Sequence, residues 1–295
     1  MKLGIIGGSG LYDIEGIEDV QRVDVKTPFG APSDSYVRGR LEGRDVFFLP
    51  RHGRGHRLLP SEINHKANIY GFKTLGVERI VSVSAVGSLK EELQPRDIIL
   101  PDQYFDRTKG SLAHTFFGNG IVAHVAFGEP ACHELRKIVA AVANAAVADT
   151  PEAKGRKVVV RGTYVNMEGP AFSTKAESRA YRQLGFDVIG MTSLPEAKLA
   201  REAEICYQAI AMVTDYDCWR ESEESVTVEM IIGHLTANVT LAKAILRRLV
   251  GAIPESRGCG CGDALKSAIF TRPDAIPAAT REALRPIVGR HPGLG

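Results

Sequence analysis

The sequence lacks an excess of charge of either sign: 37 lysines and arginines stand against 35 aspartates and glutamates among 295 residues. Proteins that coat nucleic acid carry a basic excess, so this balance argues against that class. Long apolar runs are also missing, because no stretch approaches the roughly 20 residues that cross a bilayer. The glycine-rich start MKLGIIGGSG does not have the form of a signal peptide. We therefore expect a cytoplasmic protein that binds neither nucleic acid nor a membrane.

Cysteine is scarce, and its odd count of 5 argues against the disulfide framework of a secreted domain. Cys132, Cys206 and Cys218 stand in apolar, helix-like or strand-like settings. A free cysteine in such a setting behaves as a small buried hydrophobe. The other two cysteines form the sequence Cys259-Gly260-Cys261.

Apolar, β-rich runs alternate with helical patterns, which predicts an α/β fold. Several runs are continuously apolar, as is typical of strands covered on both faces. The predicted strands are 3–6, 45–49, 79–84, 97–100, 157–165, 187–191 and 208–214. The predicted helices are one that Ser61 caps and that ends at Leu75, and 129–148, 174–184, 194–203 and 228–250. We expect one domain over residues 1–250. The Gly- and Pro-rich segment 251–295 is expected to be an extension, because it has too few apolar residues for a core of its own.

Three turns that could hold an anion follow predicted strands. Gly7-Gly8-Ser9-Gly10 offers backbone N–H groups and a hydroxyl, although it has neither the dinucleotide spacing nor the lysine of a P-loop. Arg51-His52-Gly53-Arg54-Gly55-His56 is rich in donors, and Ser84-Ala85-Val86-Gly87-Ser88 is a small-residue turn. Read singly, they could be a tight turn or a solvated basic loop. Because ligands of α/β sheets gather at the carboxyl ends of strands, the three together predict a phosphate site.

Acidic and aromatic residues follow other strands. Asp215 and Asp217 bracket a tyrosine at the end of an apolar run, where a carboxyl group could accept from an amine or protonate a ring nitrogen. The alternative is an Asx turn or a helix cap. No histidine nearby completes a metal site. Phe172 follows a Gly-Pro turn and could stack on a planar base, although taken alone it is more typical of a core.

Together these segments resemble the methylthioadenosine phosphorylases, within the trimeric branch of the purine nucleoside phosphorylase superfamily. The resemblance covers residues 3–249 and rests on seven ordered motifs: GIIGGSGL, TPFGAPSD, RHGRGH, SAVGSLKEELQPRDI, NMEGPAFSTKAES, GMTSLPEAKLARE and TDYDCW. It implies the nucleoside phosphorylase fold, a single domain with a mixed, partly barrel-like central β-sheet flanked by helices. It also implies a homotrimer or a dimer of trimers.

The resemblance further implies roles for matching residues. The implied phosphate-binding set is Ser9, Arg51, His52, Ser84, Ala85 and Thr192. Phe172 would pack on the purine and Met191 would contact the ribose. Asp215 and Asp217 would read the adenine N6 amine and N7, with Asp217 as the proton donor. Ser173 replaces the glutamate that is typical of 6-oxopurine phosphorylases of this branch, which favours adenine.

A pocket for the 5' substituent is implied at Val228, Ile231 and Ile232, although such a helical stripe is equally typical of core packing. His124 would reach in from a neighbouring subunit. Gly190 departs from the asparagine that many methylthioadenosine phosphorylases carry, which puts the fine ribose and base contacts in doubt.

The pair Cys259 and Cys261 resembles one that forms a short-loop disulfide in some thermophilic members of the family. The alternatives for this pair are two ordinary thiols or thiols that hold an adventitious metal.

The implied reaction is phosphate-dependent cleavage of 5'-methylthioadenosine to adenine and 5-methylthioribose 1-phosphate, in purine and methionine salvage. Inorganic phosphate is a co-substrate, and no metal or organic cofactor is implied. Two alternatives stay open. One is a methylthioinosine or general purine nucleoside phosphorylase, against which Ser173 and Asp217 argue. The other is a non-catalytic nucleoside-binding module.

Overall fold

The computed structural model describes residues 1–8, 11, 14–109, 114–220 and 228–294, with the backbone alone for 228–233, 235 and 236. Its strands are β1 (Lys2–Gly7), β2 (Glu18–Val23), β3 (Tyr36–Leu41), β4 (Arg44–Pro50), β5 (Arg79–Ser88), β6 (Ile98–Ile99), β7 (Gln103–Arg107), β8 (Val158–Val159), β9 (Thr163–Met167), β10 (Val188–Gly190) and β11 (Cys206–Asp215). Its α-helices are α1 (His65–Thr74), α2 (His133–Asp149), α3 (Lys175–Gln183), α4 (Ser193–Glu202), α5 (Val228–Ala252), α6 (Ala278–Ala283) and α7 (Arg285–Val288). None of these described helices is long and apolar enough to span a membrane.

The sheet is mixed and branches at β5. One edge of β5 pairs in parallel with β1 through Arg79–Ser82, and further along it pairs antiparallel with β10 through Gly87 and Ser88. The opposite edge pairs with β11 along nearly its whole length. The two halves of the sheet therefore diverge beside residues 83–86. This arrangement confirms the predicted single-domain α/β fold with a mixed central sheet.

Helices cover both faces of the sheet. On one face α2 and α5 pack together, and their apolar side chains include Leu135, Val139, Leu241 and Ile245. On the other face α1 and α4 contribute Ile69, Phe72, Ala197 and Ala200. Strands β1 and β5 are buried along most of their length, because both of their faces meet helices. Their carboxyl ends are thus held rigidly at the point of divergence.

The predicted strand 157–165 was wrong, because the structure has two strands there. β8 pairs with β6, whereas β9 pairs with β10 and β7 in the other half of the sheet. The chain turns between them at Gly162, whose φ of +155° is strained for any residue with a side chain. Asp102 Oδ1 accepts from the Gly162 N–H at 2.9 Å and fixes this turn.

Local signals also misplaced the start of α1. Ser61 lies in a short 3₁₀ turn, Pro60–Glu62, and Asn64 is the N-cap, with its Oδ1 accepting from the Ala67 N–H at 3.0 Å. Strands β2, β3 and β7 were not predicted from the sequence. β2 is almost wholly exposed, so it lacks the apolar pattern by which strands are recognised.

The C-terminal segment packs on the same two layers. Ile253 and Cys261 join the cluster under α2 and α5, while Leu265, Ile276 and Ile287 join the cluster under α1 and α4. From these contacts we infer that residues 251–294 extend the domain rather than form a second one.

Candidate active site

A cavity of about 380 Å³ opens where the sheet branches. This volume lies in the usual range for a small-molecule site. Its walls combine residues 83–87 of β5, the ends of β10 and β11, the segment after β9 and one side of α5. Of the residues predicted from sequence, it brings together Arg51, His52, Ser84, Ala85, Phe172, Gly190, Met191, Thr192, Asp215 and Asp217. Ser9 lies outside the described residues, although Gly8 and Leu11 beside it line the cavity.

Arg51 forms a buried ion pair with Glu196 behind the cavity. Arg51 Nε donates to Glu196 Oε1 at 2.6 Å, and Nη2 donates to Glu196 Oε2 at 3.4 Å. Nη2 also donates to Ser82 Oγ at 2.6 Å, and Nη1 donates to the Val83 carbonyl at 3.0 Å. Glu196 further accepts from Ser82 Oγ at 2.7 Å and from the Tyr207 hydroxyl at 2.8 Å. The guanidinium is therefore fixed in one orientation.

Electrostatics keep this pair ionised. Burial raises the pKa of Glu196, but the charge and hydrogen bond of Arg51 outweigh burial, and the pKa lies below its ordinary value. Burial likewise lowers the pKa of Arg51, and Glu196 more than restores it. Sequence reasoning missed Glu196. The available signal was an acidic residue within the otherwise apolar face of the motif GMTSLPEAKLARE.

His52 enters the cavity as a neutral imidazole. Its Nδ1 donates to the Leu58 carbonyl at 2.9 Å, and its ring stacks on His56 with centroids 4.2 Å apart. Burial, and then the charge of Arg51, lower the pKa of His52 to about 4. Because a carbonyl can only accept, Nδ1 carries the proton and Nε2 is the unprotonated nitrogen. His56, which also lines the cavity, was not among the predicted site residues.

Two hydroxyls and a helix end complete this half of the site. Ser84 Oγ is buried and has no hydrogen-bond partner in the described part of the chain. Thr192 is the N-cap of α4, and its side chain makes no capping hydrogen bond. The α4 N-terminus adds a partial positive charge. A buried hydroxyl without a partner is rare, so these groups suit a small oxyanion bound beside Ser84.

Asp215 and Asp217 also line the cavity, further along β5, where Asp215 is the cross-strand partner of Gly87. Asp215 Oδ1 accepts from the Asp217 N–H at 2.8 Å, and Oδ2 accepts from Thr214 Oγ1 at 2.7 Å. The Asx turn that sequence offered as an alternative is thus present, and both carboxyl groups still line the cavity. Burial raises the pKa of Asp217, which favours its protonated form. A Cβ at Gly87 would lie 2.9 Å from Asp215 Oδ1, so only glycine leaves room for this turn.

Apolar side chains form part of the cavity wall. Phe172 is 61% exposed at the cavity mouth and is not a core residue. Met167, Ile189 and Met191 lie beside it. Ser173 does not line the cavity itself. Its side chain lies against Asp217, and its carbonyl accepts from Cys218 Sγ at 3.2 Å.

The structure does not bring every predicted residue to the cavity. His124 is exposed, packs edge-on against Phe270 with centroids 5.2 Å apart, and is not among the lining residues of its own chain. The side chains of Val228, Ile231 and Ile232 lie outside the described residues. Helix α5 instead reaches the cavity through Asn238, Val239 and Ala242, which sequence reasoning missed.

The presence of glycine at position 190 has a steric explanation. A Cβ at this position would overlap the hydroxyl of Tyr164 and would lie 2.6 Å from its Cζ. Tyr164 is fully buried, so it has little room to move. An asparagine at position 190 therefore requires a different residue or rotamer at position 164.

We expect Gly190→Ala to lower the free energy of unfolding by about 1–3 kcal/mol, the usual cost of overpacking a core. Gly251→Ala in α5 is the matched control, because its Cβ would meet no atom closer than 4.0 Å. Alanine there should be neutral or stabilising by up to about 1 kcal/mol. Urea unfolding of both variants checks this. Equal stability of the two would show that Tyr164 does not exclude a side chain at position 190.

Known proteins are similar to this chain in sequence. The sequence pattern that defines the Phosphorylase superfamily matches residues 2–251. The S-methyl-5'-thioadenosine phosphorylase of Koribacter versatilis (strain Ellin345) is 58% identical over 292 residues, which cover 99% of this chain and 97% of that protein.

Solved structures are similar along nearly the whole chain. A methylthioadenosine phosphorylase sourced from an antarctic soil metagenomic library superposes with a TM-score of 0.91 and 46% identity, covering 97% of this chain and 98% of that one. A mutant adenosine/methylthioadenosine phosphorylase from Schistosoma mansoni in complex with methylthioadenosine gives a TM-score of 0.82 and 35% identity, covering 90% and 96%.

Proposed function

Because this chain belongs to the phosphorylase superfamily, and within it to the methylthioadenosine phosphorylases, we propose that it cleaves 5'-methylthioadenosine with inorganic phosphate. The products are adenine and 5-methylthioribose 1-phosphate, so the enzyme is a pentosyltransferase of purine and methionine salvage. One observation carries the proposal. A single cavity is lined both by groups suited to an oxyanion and by an aspartate pair.

Phosphate binds at the end that contains Ser84. The Ser84 hydroxyl, which is buried and has no hydrogen-bond partner in the described residues, supports this assignment. The N-terminus of α4 at Thr192 supports it as well. Arg51 uses four of its five N–H donors on protein partners, which leaves one for the anion. His52 and the backbone of Ala85 lie alongside. We expect Ser9, which follows the cavity-lining Gly8, to join this set.

The purine binds at the other end. Phe172 packs on the base, Met191 contacts the ribose, and Asp215 accepts from the N6 amine. Asp217 donates a proton to N7, and the rise of its pKa on burial supports that role. Ser173, placed beside Asp217, leaves the base pocket without the glutamate that would favour 6-oxopurines.

The reaction proceeds with inversion at C1'. Phosphate attacks C1' from the face opposite the base while the N-glycosidic bond breaks, and the bonding electrons leave with adenine. The transition state resembles an oxocarbenium ion, which the phosphate dianion stabilises. The proton from Asp217 neutralises the charge that develops on the purine. Phosphate is a co-substrate, and this chemistry requires no metal or organic cofactor.

The 5'-methylthio group lies against α5, where Val239 and Ala242 give an apolar wall. Val228, Ile231 and Ile232 would extend this wall. His124 enters the site of a neighbouring subunit in a homotrimer or a dimer of trimers. The exposure of Val122 and Phe270 around it supports a subunit contact there. We place the enzyme in the cytoplasm.

The test of this proposal is an assay of adenine release from 5'-methylthioadenosine with and without phosphate. We expect release only with phosphate, together with 5-methylthioribose 1-phosphate as the second product. Ser84→Ala should raise the KM for phosphate by roughly 10-fold or more, since a hydrogen bond to a charged group contributes about 1.5–3 kcal/mol. Ser61→Ala, at an exposed position, is the control. Release without phosphate, or binding without turnover, would contradict the proposal.

Asp217→Asn tests the acid. We expect kcat for methylthioadenosine to fall by roughly 10²- to 10⁴-fold, because asparagine cannot transfer a proton to N7. An inosine-type substrate is assayed in parallel, so that loss of the acid can be distinguished from a change in base preference. Asp19→Asn on the exposed β2 is the control. Near wild-type turnover of methylthioadenosine in Asp217→Asn would show that another group supplies the proton.

A further inference from the structure

Four of the five cysteines meet at one point, brought together from three segments that are distant in sequence. Cys132 is the N-cap of α2, Cys206 begins β11, and Cys259 and Cys261 come from the C-terminal segment. Their four Sγ atoms all lie within 4.8 Å of one another, and those of Cys206 and Cys259 are 3.3 Å apart. Cys218 is not part of this cluster. None of the four cysteines lines the cavity of the candidate active site.

We propose that Cys132, Cys206, Cys259 and Cys261 bind one zinc ion in a structural site. A tetrahedral zinc ion with Zn–S bonds of about 2.3 Å places its sulfur ligands about 3.8 Å apart. The observed separations require only small side-chain adjustments to reach that geometry. Four thiolate ligands select zinc over harder ions such as magnesium or calcium.

The surroundings of the cluster fit a closed site. Cys132, Cys206 and Cys261 are buried in the apolar layer under α2 and α5, and Cys259 is partly buried at its edge. Structural zinc sites use four protein ligands and leave no position open to substrate. Cys132 Sγ already accepts from the Leu135 N–H at 3.4 Å, and such outer hydrogen bonds orient the ligands of a metal.

Charge distinguishes a metal-bound cluster from a pair of disulfides. Zinc with four thiolates carries a net charge of −2, and two arginines lie near the cluster. Arg79 is the cross-strand neighbour of Cys206, is 1% exposed, and has an Nη1 without a hydrogen-bond partner in the described residues. Arg257 lies against the Cys206 sulfur. Two disulfides would be neutral and would offer these arginines no negative charge.

A zinc ion here would connect the C-terminal segment to the core. It would join residues 259–261 to the start of α2 and the start of β11. The segment then continues to Ala268, whose carbonyl accepts from the His124 N–H at 2.9 Å, and to Phe270. The ion would therefore also hold in place the C-terminal residues that contact His124. Zinc binding contributes directly to folding stability in such sites.

The experiment uses the full chain without an affinity tag, purified with a reductant that is then removed. Metal analysis should find about one zinc per chain. Thiol titration in denaturant and chelator, without reductant, should find all 5 cysteines free. Cys259→Ser and Cys132→Ser should lose nearly all of the zinc. Cys218→Ser, which changes the one cysteine outside the cluster, should keep it.

If the cysteine variants fail to fold, a second measurement on the wild-type protein still tests the proposal. Exchange of zinc for cobalt(II) should give the intense sulfur-to-cobalt absorption and visible bands of a tetrahedral thiolate site. Chelation should lower Tm, and zinc but not magnesium should restore it.

Three results would overturn the proposal. Fewer than five free thiols without zinc would indicate disulfides, and five free thiols without zinc would indicate unliganded cysteines. Zinc that persists in Cys259→Ser and Cys132→Ser would show that it binds elsewhere. Each is independent of the phosphate-dependent release of adenine, so failure here would not affect the proposed function.

Discussion

The buried ion pair between Arg51 and Glu196 is the interaction on which the site depends. It joins the end of β4 to α4, and through Ser82, Val83 and Tyr207 it also holds β5 and β11. Burying two charges is costly, and removing one partner of such a pair typically costs about 3–5 kcal/mol. Protein partners take four of the five N–H donors of Arg51, so the guanidinium is held in one orientation at the branch point of the sheet. The cavity exists because these elements are held apart and in register there.

Small side chains on β5 leave room for a ligand beside the strand. Among the described strands, none pairs with residues 83–86 on the edge that faces the cavity, which leaves backbone groups beside Ser84 and Ala85 available to a ligand. Gly87 leaves the space that the Asx turn of Asp215 needs. One strand therefore serves both halves of the site. The ion pair holds its middle, at Ser82 and Val83, and the absence of bulky side chains admits substrate towards its end.

Sequence reasoning worked where the signal was local. Glycine-rich turns after apolar runs, and acidic residues at the end of β11, predicted groups that the structure brings to one cavity. It failed where the cause was a contact between distant segments. Glu196 meets Arg51 across 145 positions, and no local pattern reports that contact. The cysteine cluster could not be predicted from the sequence for the same reason, because Cys132 and Cys206 stand in patterns typical of ordinary buried residues. Gly162 broke an apolar run that read as one strand, and β2 carried no apolar pattern at all.

The most direct test of the role of the ion pair is the KM for phosphate of Glu196→Gln, measured from initial rates of adenine release at varied phosphate and varied methylthioadenosine. Tyr207→Phe, which removes one hydrogen bond and keeps both charges, is the comparison. In Glu196→Gln protein that keeps the wild-type circular dichroism, the KM for phosphate should rise by roughly 10-fold or more, equivalent to about 1.4 kcal/mol, while the KM for methylthioadenosine changes little. Tyr207→Phe should show a smaller rise. An unchanged KM for phosphate in folded Glu196→Gln would contradict the claim that this pair positions Arg51 for the anion.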